Sequence, residues 1–273
     1  MKKVTGVITW IFIILLSIIT VFPFIYMVLG GLMSYAETTS IPPTIIPHHF
    51  HFENYVQVFH QAPFLKYFWN TLLTSSIDTV CVLITSLFAA FALTSLDFKG
   101  KKAVKILMIS LLMVPSEAII FTNYNTIAKW GLLNTYVGLF LPFTTSVFYI
   151  YYLNSYFQGI PRSIYQAAKI SGASNWQYVW KILVPMSKPA LTTVGLLSFI
   201  SGWNSFLWPL LVTNNDNMRL LNNGLANFAS DGGAQTQLQL AAATLTVIPI
   251  LIIYFIFRKQ IIQGVTRDGL KGY

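Results

Sequence analysis

The sequence predicts an all-α membrane protein of six transmembrane helices, with a cytoplasmic helical hairpin between the fourth and the fifth. Three observations carry this. Only 9% of the 273 residues are charged and 55% are hydrophobic, whereas a soluble domain carries about 25% charge. Six apolar stretches match the roughly 20 residues that a helix needs to cross a bilayer core of about 30 Å. The 17 Lys and Arg residues fall almost wholly on one side of those stretches. So few charges cannot clothe a soluble surface, which excludes a water-soluble enzyme. The hydrophobicity equally excludes disorder.

The first stretch, residues 7–29, follows Met1-Lys2-Lys3 and superficially resembles a secretory signal. It is too long for a signal core and no small-residue cleavage site closes it, so it reads as a retained anchor. The second, residues 72–94, holds the single cysteine, Cys81. One cysteine permits neither an intrachain disulfide nor a cysteine metal site, and Cys81 reads as a small core residue. The third, residues 103–122, is the most polar, with Lys105 and Glu117 inside it. The fourth, fifth and sixth are residues 136–156, 190–212 and 238–257.

Six spans place both termini on one side. That side receives Lys2, Lys3, Lys99, Lys101, Lys102, Lys105, Arg162, Lys169, Lys181, Lys188, Arg258, Lys259, Arg267 and Lys271. The other receives Lys66, Lys129 and Arg219. The basic side is cytoplasmic, so both termini are expected in the cytoplasm of a multi-pass protein. The net charge of +9 therefore signals orientation, and no nucleic-acid partner is expected despite the attraction of basic chains to phosphate. Loops 30–71, 123–135 and 213–237 fall outside, and the last lacks periodicity. Inside lie a basic turn at 97–102 and one long segment at 157–189; long ordered loops are usually functional.

That segment reads as two short helices. Pro161 fits a first helical position. Ile164, Ala167, Ala168 and Ser171 then share one small, flat face. Gly172 suits a helix C-terminus, and Ser174 with Gln177 forms a capping box for the next helix. Trp176, Val179, Trp180 and Leu183 make an apolar stripe, and Pro185 is expected to stop the helix. An alanine-lined helix can seat in a groove on another protein, or the pair can lie passively on the membrane.

Gln166-Ala167-Ala168, Gly172 four residues later, and Ile182 and Pro185 at the far end resemble the EAA loop of ATP-binding-cassette importer permeases. That pattern is Glu-Ala-Ala, three residues, Gly, nine residues, Ile, one residue, Leu-Pro, and its spacing is kept here. Lys188-Pro189-Ala190 and Trp203-Asn204-Ser205-Phe206-Leu207-Trp208-Pro209-Leu210 resemble the carbohydrate-uptake subfamily, as does the tail from Gly264 to Gly272. Two departures from the pattern matter: Gln166 stands for the usual Glu and Ser171 for the usual Asp. An amide in place of the carboxylate forfeits a charge-assisted hydrogen bond, about twice as strong as a neutral one.

The resemblance implies a type I importer permease fold in a bacterial plasma membrane, as one permease domain over residues 1–273. Its coupling loop is expected at 158–188, docking through Gln166, Ala167, Ala168, Lys169, Ser171, Gly172 and Pro185. It implies a second, homologous permease subunit, two ATPase subunits and an extracellular solute-binding protein that delivers a sugar or oligosaccharide. The chain has no Gly-x-x-x-x-Gly-Lys-Ser/Thr phosphate loop, so it is expected to be non-catalytic and to bind no cofactor. ATP and Mg belong to the ATPase partner.

Glu117, Trp203, Asn204 and Trp208 are the expected substrate-pathway residues, with helix packing as the competing use of the tryptophans. Asp78 joins Glu117 as an intramembrane charge, and such residues are functional hypotheses by default. His48, His49, His51 and His60 cluster as a metal site does, but adjacent histidines rarely converge, and a solvated outer loop is the better reading. An ion-coupled secondary transporter is the competing function; it would need intramembrane charge pairs and repeat symmetry that the sequence does not display. A membrane-embedded enzyme would need a histidine or carboxylate constellation at the membrane face, and the histidines crowd one outer loop.

Overall fold

A computed structural model of the chain describes residues 2–229 and 235–269. Among the described residues there is no strand. The helices are α1 (Lys2–Gly30), α2 (Tyr35–Thr38), α3 (Glu53–Gln61), α4 (Phe64–Ser95), α5 (Lys101–Leu111), α6 (Ser116–Lys129), α7 (Tyr136–Phe140) and α8 (Val147–Gln158). They continue as α9 (Arg162–Ile170), α10 (Asn175–Tyr178), a π turn (Val179–Leu183), α11 (Val184–Met186), α12 (Lys188–Trp203), α13 (Leu207–Val212), α14 (Leu221–Gly224) and α15 (Thr236–Gly269). The chain divides into two compact units, Met1–Tyr67 with Leu221–Ile252, and Phe68–Leu220 with Ile253–Tyr273.

In the first unit α1 is apolar around its whole circumference, and large side chains such as Trp10, Ile14 and Ile18 are exposed. A helix hydrophobic on every side is one that crosses a membrane. The chain after it is pinned by Asn54, which is buried and donates from Nδ2 to the carbonyls of Gly31 at 3.1 Å and Met33 at 2.8 Å. Gly31 permits this approach, because a Cβ there would stand 2.8 Å from Tyr55 Oη and 3.0 Å from Ala241 Cα.

The second unit has two apolar clusters. The larger gathers Val82, Leu87 and Phe91 of α4, Leu153 and Phe157 of α8, and Ala168, Tyr178, Val179, Leu183, Ala190 and Val194 from the hairpin and α12. The smaller gathers Ile127, Leu139, Trp208, Val212 and Leu220. Lys101 Nζ caps the end of α4 by donating to the carbonyls of Leu96 at 2.7 Å and Thr94 at 3.3 Å, where a cation also meets the negative end of the helix dipole.

The spans differ from expectation in a consistent way. Among the described residues three continuous helices are long and apolar enough to cross a membrane: Ile8–Gly30, Phe64–Ser95 and Thr236–Arg258. Two bent pairs pass the same test jointly, Tyr136–Phe143 with Val147–Gln158 at 46° and Asn175–Met186 with Lys188–Trp203 at 83°. The third expected span, 103–122, is not one helix. α5 ends at Leu111 and α6 starts at Ser116, with Pro115 extended at ψ 135. Proline offers no N–H and drives the residue before it out of the α region. The fifth expected span, 190–212, is interrupted between Trp203 and Leu207. Pro209, in the first turn of α13, has no N–H to give and its ring opposes a helical carbonyl at Ser205.

Candidate functional site

The hairpin is closed by local hydrogen bonds. Pro161 sits at the N-cap of α9, one residue earlier than expected, so the helix begins at Arg162. At the other end Gly172 adopts φ +80. The Ala173 N–H then reaches back to the Ala168 carbonyl at 2.9 Å, and the Gly172 N–H to that of Lys169 at 3.0 Å. This is the paired Schellman closure, and it requires the left-handed residue that glycine supplies without steric cost. Two residues on, Gln177 N–H donates to Ser174 Oγ at 3.1 Å and Ser174 N–H to Gln177 Oε1 at 2.9 Å, completing the expected capping box. Tyr165 Oη and Lys169 Nζ both donate to Asn175 Oδ1, at 3.0 and 3.3 Å, which cross-links the two helices.

The faces divide differently from the sequence pattern. Ala168 is buried in the larger cluster with Ile164 packed against it, so it faces the chain's own core, where Tyr165 and Tyr178 meet edge to face at 4.9 Å. Gln166, Ala167, Lys169, Ser171 and Gly172 are exposed. Ile170, which the pattern did not single out, is 88% exposed. Its signal was an isoleucine beside Lys169, off the apolar face of α9. Arg162 pairs with Asp97 in the turn after α4. An open groove of about 460 Å³ runs past Asp97, Arg162, Gln166, Lys169 and Ile170.

The second helix also departs from its pattern. Val179 and Leu183 are buried, whereas Trp176 and Trp180 on the same expected stripe are exposed. Pro185 does not stop the helix. It lies inside α11, the turn before it widens into the π form, and the chain swings through 83° at Ser187. The wider turn accommodates a residue that has no N–H to give.

The expected pathway residues are not brought together. Trp203 is buried, edge to face with Phe68 at 5.7 Å. Trp208 is buried too, its indole N–H shared between the carbonyls of Gly138 and Leu139 at 3.1 Å each. Asn204, which caps α12, and Glu117, in the first turn of α6, are exposed. A cavity of about 120 Å³ gathers Thr74, Ser75, Asp78, Ser201, Gly202 and Ser205. Ser75 Oγ and Asp78 Oδ1 are buried there without a hydrogen-bond partner.

One buried hub was not predicted. Asn70 Nδ2 donates to the carbonyls of Asn217 at 2.8 Å and Arg219 at 3.0 Å, and Asn70 Oδ1 accepts from Tyr136 Oη at 2.7 Å. It ties α4 to α7 and to the 213–220 loop. On the outer loop, the Glu37 carboxylate accepts from the backbone N–H of His48 at 2.8 Å and of Ser34 at 2.8 Å, and meets His48 Nδ1 at 2.8 Å. Those bonds hold its pKa down at about 2. His51 meets Glu53 at 2.6 Å, and no cluster of three metal-ligating side chains occurs among the described residues. Of the expected tail motif, Leu270, Lys271 and Gly272 lie outside the described residues.

Residues 82–267 match the family model described as "Binding-protein-dependent transport system inner membrane component". The arabinooligosaccharide transport permease AraQ of Bacillus subtilis is 29% identical over 96% of this chain and 94% of its own. The trehalose/maltose transport permease MalG of Thermococcus litoralis is 33% identical over 95% of this chain and 94% of its own. A crystal structure of a bacterial ABC transporter involved in the import of the acidic polysaccharide alginate matches with a TM-score of 0.82 at 23% identity, over 94% of this chain and 96% of that one.

Proposed function

Since the chain belongs to the family of binding-protein-dependent transport system inner membrane components, we propose that it forms one half of a sugar or oligosaccharide pathway driven by a separate ATPase. The chain itself is the non-catalytic permease subunit of such an ABC importer. Relatives named for arabinooligosaccharides, diacetylchitobiose and trehalose or maltose support the sugar class.

In this reading the chain makes six passes, with α5 and α6 together forming a broken third, and both termini face the cytoplasm. A second, similar permease completes the pathway. Two ATPase subunits receive the two hairpins, and an external binding protein delivers the sugar onto the outer loops. The hairpin is the observation that carries this. Gln166, Ala167, Lys169, Ser171 and Gly172 form an exposed rim with few bulky side chains, while Ala168 and Pro185 set its backbone. ATP-driven closure of the ATPases moves the hairpins, and the spans alternate between inward- and outward-facing arrangements. Asn204 and Glu117, both exposed, are the residues this reading assigns to sugar hydroxyls, with Trp203 and Trp208 packed in the helices around Asn204.

The test is sugar uptake by the complete complex in vesicles. Uptake is expected to require the binding protein and ATP, and to cease when the phosphate-loop lysine of the ATPase partner is replaced. Uptake that persists with the ATPase inactivated, driven by an ion gradient, would overturn the reading. Ala167→Trp, a substitution on the exposed rim, is expected to abolish association with the ATPase while leaving the permease folded.

A further inference from the structure

We infer that Trp176 and Trp180 anchor the second hairpin helix in the headgroup layer of the bilayer, so that this segment is a lipid-binding surface. Both rings are held on the membrane-spanning helix α4. Trp176 stacks on Phe88 at 5.5 Å and 12°, Trp180 meets Phe88 edge-on at 6.2 Å and 75°, and the two indoles meet each other at 5.6 Å. Packed this way they are nevertheless 62% and 42% exposed.

What covers them follows from their height on α4. Trp69, Leu73, Val80 and Ile84 are exposed on that helix, and with Phe88 their spacing places them on one face. This stripe begins at one tryptophan and ends at the aromatic trio. From Trp69 to Phe88 is 19 residues, about 28 Å of helix at roughly 1.5 Å per residue. The hydrocarbon core of a bilayer is about 30 Å thick. The two aromatic ends of the stripe thus stand one hydrocarbon thickness apart, at the heights where tryptophan concentrates in membrane proteins.

The position of the trio fits the same assignment from the other direction. Phe88 lies seven residues before the end of α4 at Ser95, leaving about 10 Å for the headgroup layer. Beyond it come Lys99, Lys101 and Lys102. On the second hairpin helix and just past it, Lys181 and Lys188 are exposed, with stems long enough to carry their ammonium groups to lipid phosphates. Gly172 separates this anchored helix from α9. The turn therefore joins a segment fixed in the interface to one that projects from it.

The experiment uses the intact importer, reconstituted with its partner subunits in vesicles of phosphatidylethanolamine and phosphatidylglycerol. A nitroxide is attached at position 176 or 180 through Trp176→Cys or Trp180→Cys in a Cys81→Ser background. Collision rates with oxygen and with a water-soluble nickel chelate are compared with those of labels at Ile84 on the exposed stripe of α4 and at Lys99 in the exposed turn after it. The expected result is several-fold more oxygen than nickel collision, at a depth between the two references. Nickel-dominated collision would mean an aqueous surface, and shielding from both would mean a protein partner; either overturns the inference.

If the cysteine variants fail to assemble, Trp176→Phe/Trp180→Phe preserves the packing on Phe88 and removes both indoles. Brominated lipids are then expected to quench a smaller share of the tryptophan emission than in the unaltered complex, and an unchanged share overturns the inference. These readouts report position alone, so they are independent of which solute is carried.

Discussion

The Ala173 N–H donates to the Ala168 carbonyl at 2.9 Å across Gly172, which sits at φ +80 with nothing within 4 Å of where a Cβ would be. The hairpin's turn therefore depends on backbone conformation and not on space. Gly172→Ala is expected to destabilise the turn by about 1–2 kcal/mol, the cost of a left-handed residue bearing a Cβ. Hydrogen exchange measured by mass spectrometry should show faster exchange confined to residues 168–177. Unchanged exchange would mean that the turn does not need glycine.

Gln166→Glu restores the carboxylate of the EAA pattern on an exposed position of α9. It is expected to leave the fold unaltered and to tighten association with the ATPase partner, since a charge-assisted bond is about twice as strong as a neutral one. Binding isotherms of detergent-solubilised permease with the ATPase measure this. Equal or weaker binding would show that the groove presents no cation to position 166.

Asn70→Ala removes the donor to two backbone carbonyls and the acceptor of the Tyr136 hydroxyl. A buried polar group that loses its partner costs about 1–3 kcal/mol. Thermal unfolding of the purified complex should therefore shift down by several degrees. Asn70→Asp keeps the shape but turns a buried carboxylate oxygen toward those two carbonyls, and should fall at least as far as Asn70→Ala.

The Glu37 loop should respond to acid. Its folded-state pKa, about 2, lies below the ordinary value of 4.5, chiefly through the backbone N–H of His48 and then that of Ser34. A depressed carboxylate pKa contributes stability that is fully present above pH 4.5 and is lost as pH falls toward 2. Proteolytic nicking of residues 34–48 by pepsin should rise steeply over that window. Glu37→Gln should nick readily even at its upper end, and identical profiles for the two would contradict the assignment.

Much of the hairpin was legible because its determinants are local. Gly172, Ser174 and Gln177 act on neighbours within five residues, and each forms the bond that its type and spacing imply. The apolar runs were equally plain, since the cost of placing polar groups in hydrocarbon restricts composition directly. The faces were harder. Ala168 and Ala167 are adjacent and chemically identical, yet one is buried and the other exposed, because Phe91, Tyr165 and Tyr178 from three segments converge on one side of α9. Trp176 and Val179 share a predicted stripe, but Phe88 draws the indole outward while Val179 turns into the core.

By itself the sequence determined that the chain is helical and membrane-embedded, and that it carries a helix–glycine–helix turn, which resembles the EAA loop. Only the tertiary structure decided which prolines break a helix. Pro23 and Pro249 lie inside α1 and α15, which run on past them, whereas α5 stops ahead of Pro115, and α12 stops at Trp203, ahead of Pro209 in the first turn of α13. A proline inside a helix costs roughly 3 kcal/mol wherever it stands. Whether the helix continues depends on what the alternative conformation gains. Near Pro209 the gain is visible: the Trp208 indole is hydrogen-bonded and buried, and the Val212 carbonyl accepts from Asn134 at 2.9 Å. Those partners lie about 70 to 80 residues away in the chain, beyond the reach of any local pattern.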